Sequence, residues 1–352
     1  MIKTTGYAAQ SATTPLGPFD FERRDLRKED VLIDILYCGI CHSDLHVARN
    51  EWKSTNYPVV PGHEIIGRVS KVGSAVKGFK EGDLVGVGCI IGCCQSCSNC
   101  KSDLEQYCDK GFTLVFNTSD PQSGLANHGG FSKQIIVEDR YVLRIPKQFQ
   151  EKDLAAVAPL LCAGITTYSP LKHWKVGKGT KVGIVGLGGL GHMAVKLAHA
   201  MGAHVTVFTT SVEKSAEAKK LGADEVVVST QSDAMKKQEG SLDFILNTVA
   251  SVHDLNAFLA LLKRDGTMCL VGLPPEPHKN LRADFFIGKR RQLAGSLIGS
   301  IKETQEMLDF CAEKKVLADI ELIPIKMINE AFERMIKGKV KYRFVIDISS
   351  LP

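Results

Sequence analysis

Apolar and polar positions change rhythm once along this chain. Up to about residue 150, short runs such as "VLIDILYCG" and "IIGRVSKVG" are broken by Gly, Pro and Asp, which predicts strands joined by turns in an irregular, barrel-like β domain. From about residue 154, compact apolar runs ("KVGIVG", "AHVTVFT", "DEVVVS", "LDFILNTV", "GTMCLVGL", "QLAGSLIG") are separated by stretches of helical period. Strands alternating with helices predict βαβ crossovers and a doubly wound parallel sheet. Beyond about residue 296, helical stretches around "KETQEMLDFCAEK" and "MINEAFERMIKGKV" precede a last strand, "YRFVIDI". The doubly wound unit is already complete by residue 295, so this tail is expected to rejoin the first domain. The reading is therefore α/β, with 1–153 and 296–352 forming a β-rich domain and 154–295 a parallel-sheet domain.

Composition narrows the class. At 352 residues the chain exceeds the roughly 250–300 at which a single core stops growing, in line with two domains. Its 44% apolar and 24% charged residues suit a globular protein. The net charge of +5 comes from 44 basic and 39 acidic residues spread without a block of one sign, which argues against nucleic acid as a partner. No apolar run approaches the roughly 20 residues that span a bilayer, and the opening "MIKTTGYAAQ" lacks the build of a signal peptide, so no membrane partner and a cytoplasmic location are expected. In a reducing compartment, clustered cysteines point to metal or catalysis rather than to disulfides.

Five of the eleven cysteines fall in "GCCQSCSNCKSDLEQYC", residues 92–108. Cys94, Cys97, Cys100 and Cys108 have the spacing C-x2-C-x2-C-x7-C, which lets one loop wrap four thiolates around a zinc ion. A bacterial iron–sulfur run would continue with x3-C-P. Cys93 could replace Cys94 on spacing alone. Four protein ligands leave no position for substrate, so this zinc would be structural.

A second, scattered set carries the chemistry. Cys41 in "CGICHSDLH", His63 in "PGHEIIG" and Cys162 in "LLCAG" make up the Cys2His composition of a catalytic zinc with an open fourth position, which Glu64 could occupy at rest. Such a zinc is a Lewis acid toward a carbonyl or alcohol oxygen. Ser43 and His46 follow Cys41 and could relay a proton to solvent, while Asp44 could orient a ligand. Cys38, Cys269 and Cys311 lie in apolar or helical patterns and read as inert buried thiols.

In "KVGIVGLGGLGHMAVKLAHAMGA", Gly186, Gly188 and Gly191 have the G-x-G-x-x-G spacing between a strand and a helix, with Gly189 and Leu190 completing the turn. That context predicts a dinucleotide pyrophosphate at the helix N-terminus. Where an acid would bind the ribose 2′-OH of NAD, the chain reads "VFTTSVEK". Thr210, Ser211 and Lys214 suit a 2′-phosphate, and hence NADP(H), although Glu213 would oppose it.

Taken in order, "CGICHSDLH", "PVVPGHEIIG", "GDLVGVGCIIGCCQSC", "LLCAG", "GLGGLGHMAVK" and "YRFVID" resemble the zinc-dependent medium-chain alcohol dehydrogenases, and most closely their cinnamyl-alcohol-dehydrogenase-like branch. The resemblance spans essentially the whole chain. It implies a GroES-like catalytic domain holding two zinc ions, a Rossmann NADP(H)-binding domain, an active-site cleft between them and a homodimer. It implies hydride transfer between NADP(H) and a primary alcohol/aldehyde pair, with aromatic or medium aliphatic aldehydes as substrates. It also implies Cys94 rather than Cys93 in the clamp, and a substrate-pocket role for Trp52, whose alternative is a packing aromatic. The branch often has threonine where Ser43 stands, which keeps the hydroxyl. The competing readings are a non-catalytic NADP-binding redox sensor and, within enzymes, a polyol-type dehydrogenase.

Overall fold

The computed structural model describes residues 1–274 and 276–352. It divides the chain into two compact units, Met1–Cys162 with Gly299–Pro352, and Ala163–Ile298. The first boundary lies after Cys162 rather than after residue 153. The short helical turns Leu154–Val157 and Ala158–Leu161 pack on the sheet of the first unit, where Leu154, Val157 and Leu160 are fully buried.

The spine of the first unit is the strand Asp30–Ile40, "DVLIDILYCGI", whose β-branched and aliphatic residues are buried along almost its whole length. It pairs antiparallel with Ile65–Val72 on one side, and on the other with Gln134–Glu138 near its start and Arg343–Asp347 near its end. A strand not expected from the pattern, Ile320–Pro324, extends this sheet parallel to Arg343–Asp347. Its "IELIP" is too short and too irregular to show a period of two. The helix Ile301–Lys314 begins where the Ser300 side chain accepts from the Glu303 N–H at 3.0 Å, a cap whose loss costs about 1 kcal/mol.

The second unit is a six-stranded sheet. Counted in chain order within the unit, the strands lie 3-2-1-4-5-6, all parallel. Strands covered on both faces read as continuous apolar runs, and Ile184, Val205, Val207, Ile245 and Leu246 are fully buried. Among the described residues no single helix is long and apolar enough to cross a membrane.

Candidate active site

The spine strand ends at Ile40, and Cys41 caps the helix His42–Ala48 that follows. Asp44, the third residue of that helix, reaches back so that its Oδ2 accepts from the Cys41 N–H at 2.8 Å. Its Oδ1 accepts from the Gly62 N–H at 2.9 Å and from His63 Nδ1 at 3.0 Å. Gly62 sits at φ +104°, a turn open to glycine, and a Cβ there would meet the Phe131 backbone nitrogen at 2.7 Å. Asp44 is completely buried, and these three bonds serve both of its oxygens. A carboxylate only accepts, so His63 carries its proton on Nδ1 and presents the Nε2 lone pair.

Ligand atoms of Cys41, His63, Glu64 and Cys162 all lie within 4.8 Å of one another, and all four residues are buried. The two sulfurs are 3.8 Å apart. The hydrogen bond from Cys162, opposed by burial and helped by the Arg343 guanidinium, holds the Cys41 thiol well below its ordinary range, so one of the pair is readily a thiolate. Two sulfurs, one imidazole nitrogen and a nearby carboxylate fit zinc by chemistry and by count. Burial pushes the Glu64 carboxyl up to about 8 against the pull of Arg343.

Ser43 Oγ lies 3.7 Å from Cys41 Sγ. His46 sits one turn on, and its Nδ1 is hydrogen-bonded to the Glu51 carboxylate. Trp52 is 38% exposed and its ring lies 5.1 Å from that of His46, a cover over the imidazole rather than a buried packing aromatic. The sequence reading gave no role to Glu51, Arg343 or Cys89. Glu51 lies five residues after His46, off the helical face, and returns because Asn50 adopts φ +54° and the Glu51 N–H donates to the His46 carbonyl at 2.9 Å. Arg343 pairs with Glu64 from 279 positions away. Cys89 hydrogen-bonds Cys162, which lowers its thiol.

The second thiol group is Cys94, Cys97, Cys100 and Cys108, again within 4.8 Å of one another. Backbone N–H groups of Cys97 and Cys100 point at the sulfurs of Cys94 and Cys97, each at 3.4 Å, and that of Cys94 at Cys108 at 3.5 Å. Such donors favour thiolates, and those from Ser96 and Cys97 bring Cys94 down to about 5. Cys93 turns away, its sulfur accepting from the Tyr141 hydroxyl at 3.3 Å and its N–H donating to the same oxygen at 3.0 Å.

In the second unit, Gly186 adopts φ +92°, and a Cβ on Gly191 would strike the Gly186 carbonyl oxygen at 2.1 Å. At Gly188 a Cβ would meet open space, which leaves the backbone free to approach a phosphate. Gly189 and Leu190 lead directly into the helix Gly191–Ala200. Lys214 folds back so that its Nζ donates to the Leu187 carbonyl at 3.2 Å, and Ser211 N–H bonds Thr209 Oγ1 at 3.2 Å. Thr210 and Glu213 are exposed in the same loop. Hydroxyls and a lysine beside the glycine turn, with no acid ending the strand His204–Thr209, fit a 2′-phosphate.

Residues 27–147 match the alcohol dehydrogenase GroES-like domain, and residues 189–313 match the zinc-binding dehydrogenase family. The aldehyde reductase YahK of Escherichia coli (strain K12) is 58% identical over 350 residues, covering 99% of each chain. A mannitol dehydrogenase of Petroselinum crispum is 51% identical over 338 residues, covering 95% of this chain and 98% of the relative. The crystal structure of CAD from Helicobacter pylori complexed with NADP(H) superposes with a TM-score of 0.92 at 45% identity, covering 99% of each chain. The chain thus belongs to the zinc-binding alcohol dehydrogenase family, with a GroES-like domain and a Rossmann-type domain.

Proposed function

We propose that this enzyme interconverts primary alcohols and aldehydes with NADP(H), using one zinc held by Cys41, His63 and Cys162 and a second held by Cys94, Cys97, Cys100 and Cys108. The observation that carries this reading is the buried Cys2His set with Ser43 and the His46–Glu51 pair beside it. The first zinc, when bound, supplies a Lewis acid for the substrate oxygen. Aldehyde reduction also needs a proton, and Ser43, adjacent to the sulfur of Cys41, is the hydroxyl from which it would come. His46 replenishes that hydroxyl, and Glu51 fixes the imidazole through Nδ1, leaving Nε2 as the exchanging atom. Trp52 shields the imidazole and supplies an aromatic wall suited to an apolar aldehyde. Thr210, Ser211 and Lys214 would hold the 2′-phosphate of NADP(H), and Gly186, Gly188, Gly189, Leu190 and Gly191 its pyrophosphate.

The relative named as a mannitol dehydrogenase makes polyol oxidation the reading to test alongside. Initial rates with benzaldehyde and a medium aliphatic aldehyde, on NADPH and NADH, are compared with mannitol oxidation, together with zinc content. Aldehyde turnover preferring NADPH at two zincs per chain supports the proposal, while mannitol turnover exceeding it moves the substrate class to polyols. Binding of NADPH without turnover in a zinc-replete protein leaves the sensor reading. The homodimer implied by the family resemblance is to be checked by light scattering.

A further inference from the structure

The two oxygens of Glu64 have unequal surroundings. Oε1 accepts from Arg343 Nη2 and lies 4.0 Å from His63 Nε2, while Oε2 is buried with no partner. A Cβ on Gly39 would stand 1.9 Å from Oε2 and 2.9 Å from the carboxyl carbon. The carboxylate therefore rests in a slot left open by the missing side chain at position 39. The backbone around that slot is fixed: the Gly39 N–H donates to the Glu64 carbonyl at 2.9 Å, and Gly39 lies opposite Val345 in the strand that begins with Arg343. Arg343 is 4% exposed, and its positive charge acts on Cys41 as well as on Glu64. One cation thus touches the carboxylate beside the ligands and lies near enough to Cys41 to act on its charge.

We propose that Arg343 is a positioning residue that competes with the metal for Oε1 of Glu64, holding the carboxylate in the Gly39 slot so that the fourth coordination position stays open to substrate. The inference rests on the reading of Cys41, His63 and Cys162 as ligands of an open metal site. Its physical core is geometric: Oε1 faces the Arg343 guanidinium on one side and lies 4.0 Å from His63 Nε2 on the other, so a cation on either side can claim it. With the guanidinium in place Oε1 has its partner; without it, the metal is the partner within reach. Pushing Oε2 out of its slot from the Gly39 side would drive the carboxylate the same way.

The test uses full-length protein with cobalt(II) exchanged into the catalytic site, and reads imidazole binding at the fourth position from the visible spectrum. Metal content is measured in every variant. The expected result is that Arg343→Gln and Gly39→Ala each weaken imidazole binding at least about tenfold, the carboxylate now competing for the position. Adding Glu64→Gln to either variant should bring the affinity back to that of Glu64→Gln alone. Unchanged imidazole affinity in both single variants at full metal content overturns the proposal, as does a loss that persists once Glu64 is replaced. If Arg343→Gln does not fold, Gly39→Ala and its pair with Glu64→Gln carry the test. A wild-type protein that takes up one metal and shows no imidazole response overturns the open metal site itself, a result distinguishable from failure of the Arg343 clamp.

Discussion

Replacing Asp44 by asparagine changes one oxygen to an NH2 group and removes a charge, at a residue whose two oxygens serve three buried donors. If the amide oxygen takes the place of Oδ1, the bonds from Gly62 and His63 survive, but the NH2 then faces the Cys41 N–H, donor against donor. If it takes the place of Oδ2, the Cys41 N–H keeps its acceptor, and Gly62 and His63 lose theirs. Either way at least one buried N–H is orphaned, at about 1–3 kcal/mol. The carboxylate partner of a ligating histidine is worth 10–100-fold in metal affinity, which is about 1.4–2.8 kcal/mol. The two estimates agree. We therefore expect Asp44→Asn to release the Cys41–His63–Cys162 zinc roughly 10–100-fold more readily, and the four-cysteine zinc, which Asp44 does not touch, to be unchanged. Titration of zinc-loaded protein with a chromogenic chelator resolves the two sites, the clamp serving as internal standard. Wild-type retention of both zincs would refute the reasoning, and equal weakening of both would show a global loss of stability instead.

Other expectations follow from the same geometry. Cys100→Ser should leave one zinc per chain and lower Tm by several degrees, since a structural zinc contributes its binding energy to folding; normal Tm at two zincs would remove Cys100 from the clamp. Glu51→Gln should lower kcat roughly tenfold and shift its pH profile, with NADPH affinity unchanged, because it acts through the His46 ring; an unaltered profile would take Glu51 out of the relay. Burial and the neighbouring Arg23 guanidinium hold His128 at about 4, below the ordinary 6.5. The unfolded chain therefore binds more protons between these values, and stability is full above about 6.5 and declines as pH falls toward 4. Urea midpoints measured at pH 7.5 and 5 should show that loss, and His128→Gln should reduce it.

Local chain pattern determined a great deal here. The central strands of the second unit, Lys181–Val185, His204–Thr209 and Leu242–Asn247, were legible because each is a largely apolar run bounded by turn residues, which is what burial on both faces demands. The four clamp cysteines lie in one loop, so their spacing alone brings them near a common centre. The glycine turn is similarly local: a positive φ at Gly186 and the contact at Gly191 follow from residues within one strand–turn–helix. Tertiary structure decided what no spacing encodes. Whether Cys93 or Cys94 joins the clamp depends on the Tyr141 hydroxyl, 48 positions away from Cys93. The Glu51 contact with His46 depends on a left-handed residue between them. Cys41, His63 and Cys162 meet because Asp44 ties the first two together and the turns ending at Leu161 pack against the sheet. The Arg343–Glu64 pair exists only because the last strand aligns beside the spine strand in one register. Sequence pattern reports preferences of neighbouring residues, whereas a partner hundreds of positions away is chosen by register and packing, where a shift of one residue would turn every side chain to the other face.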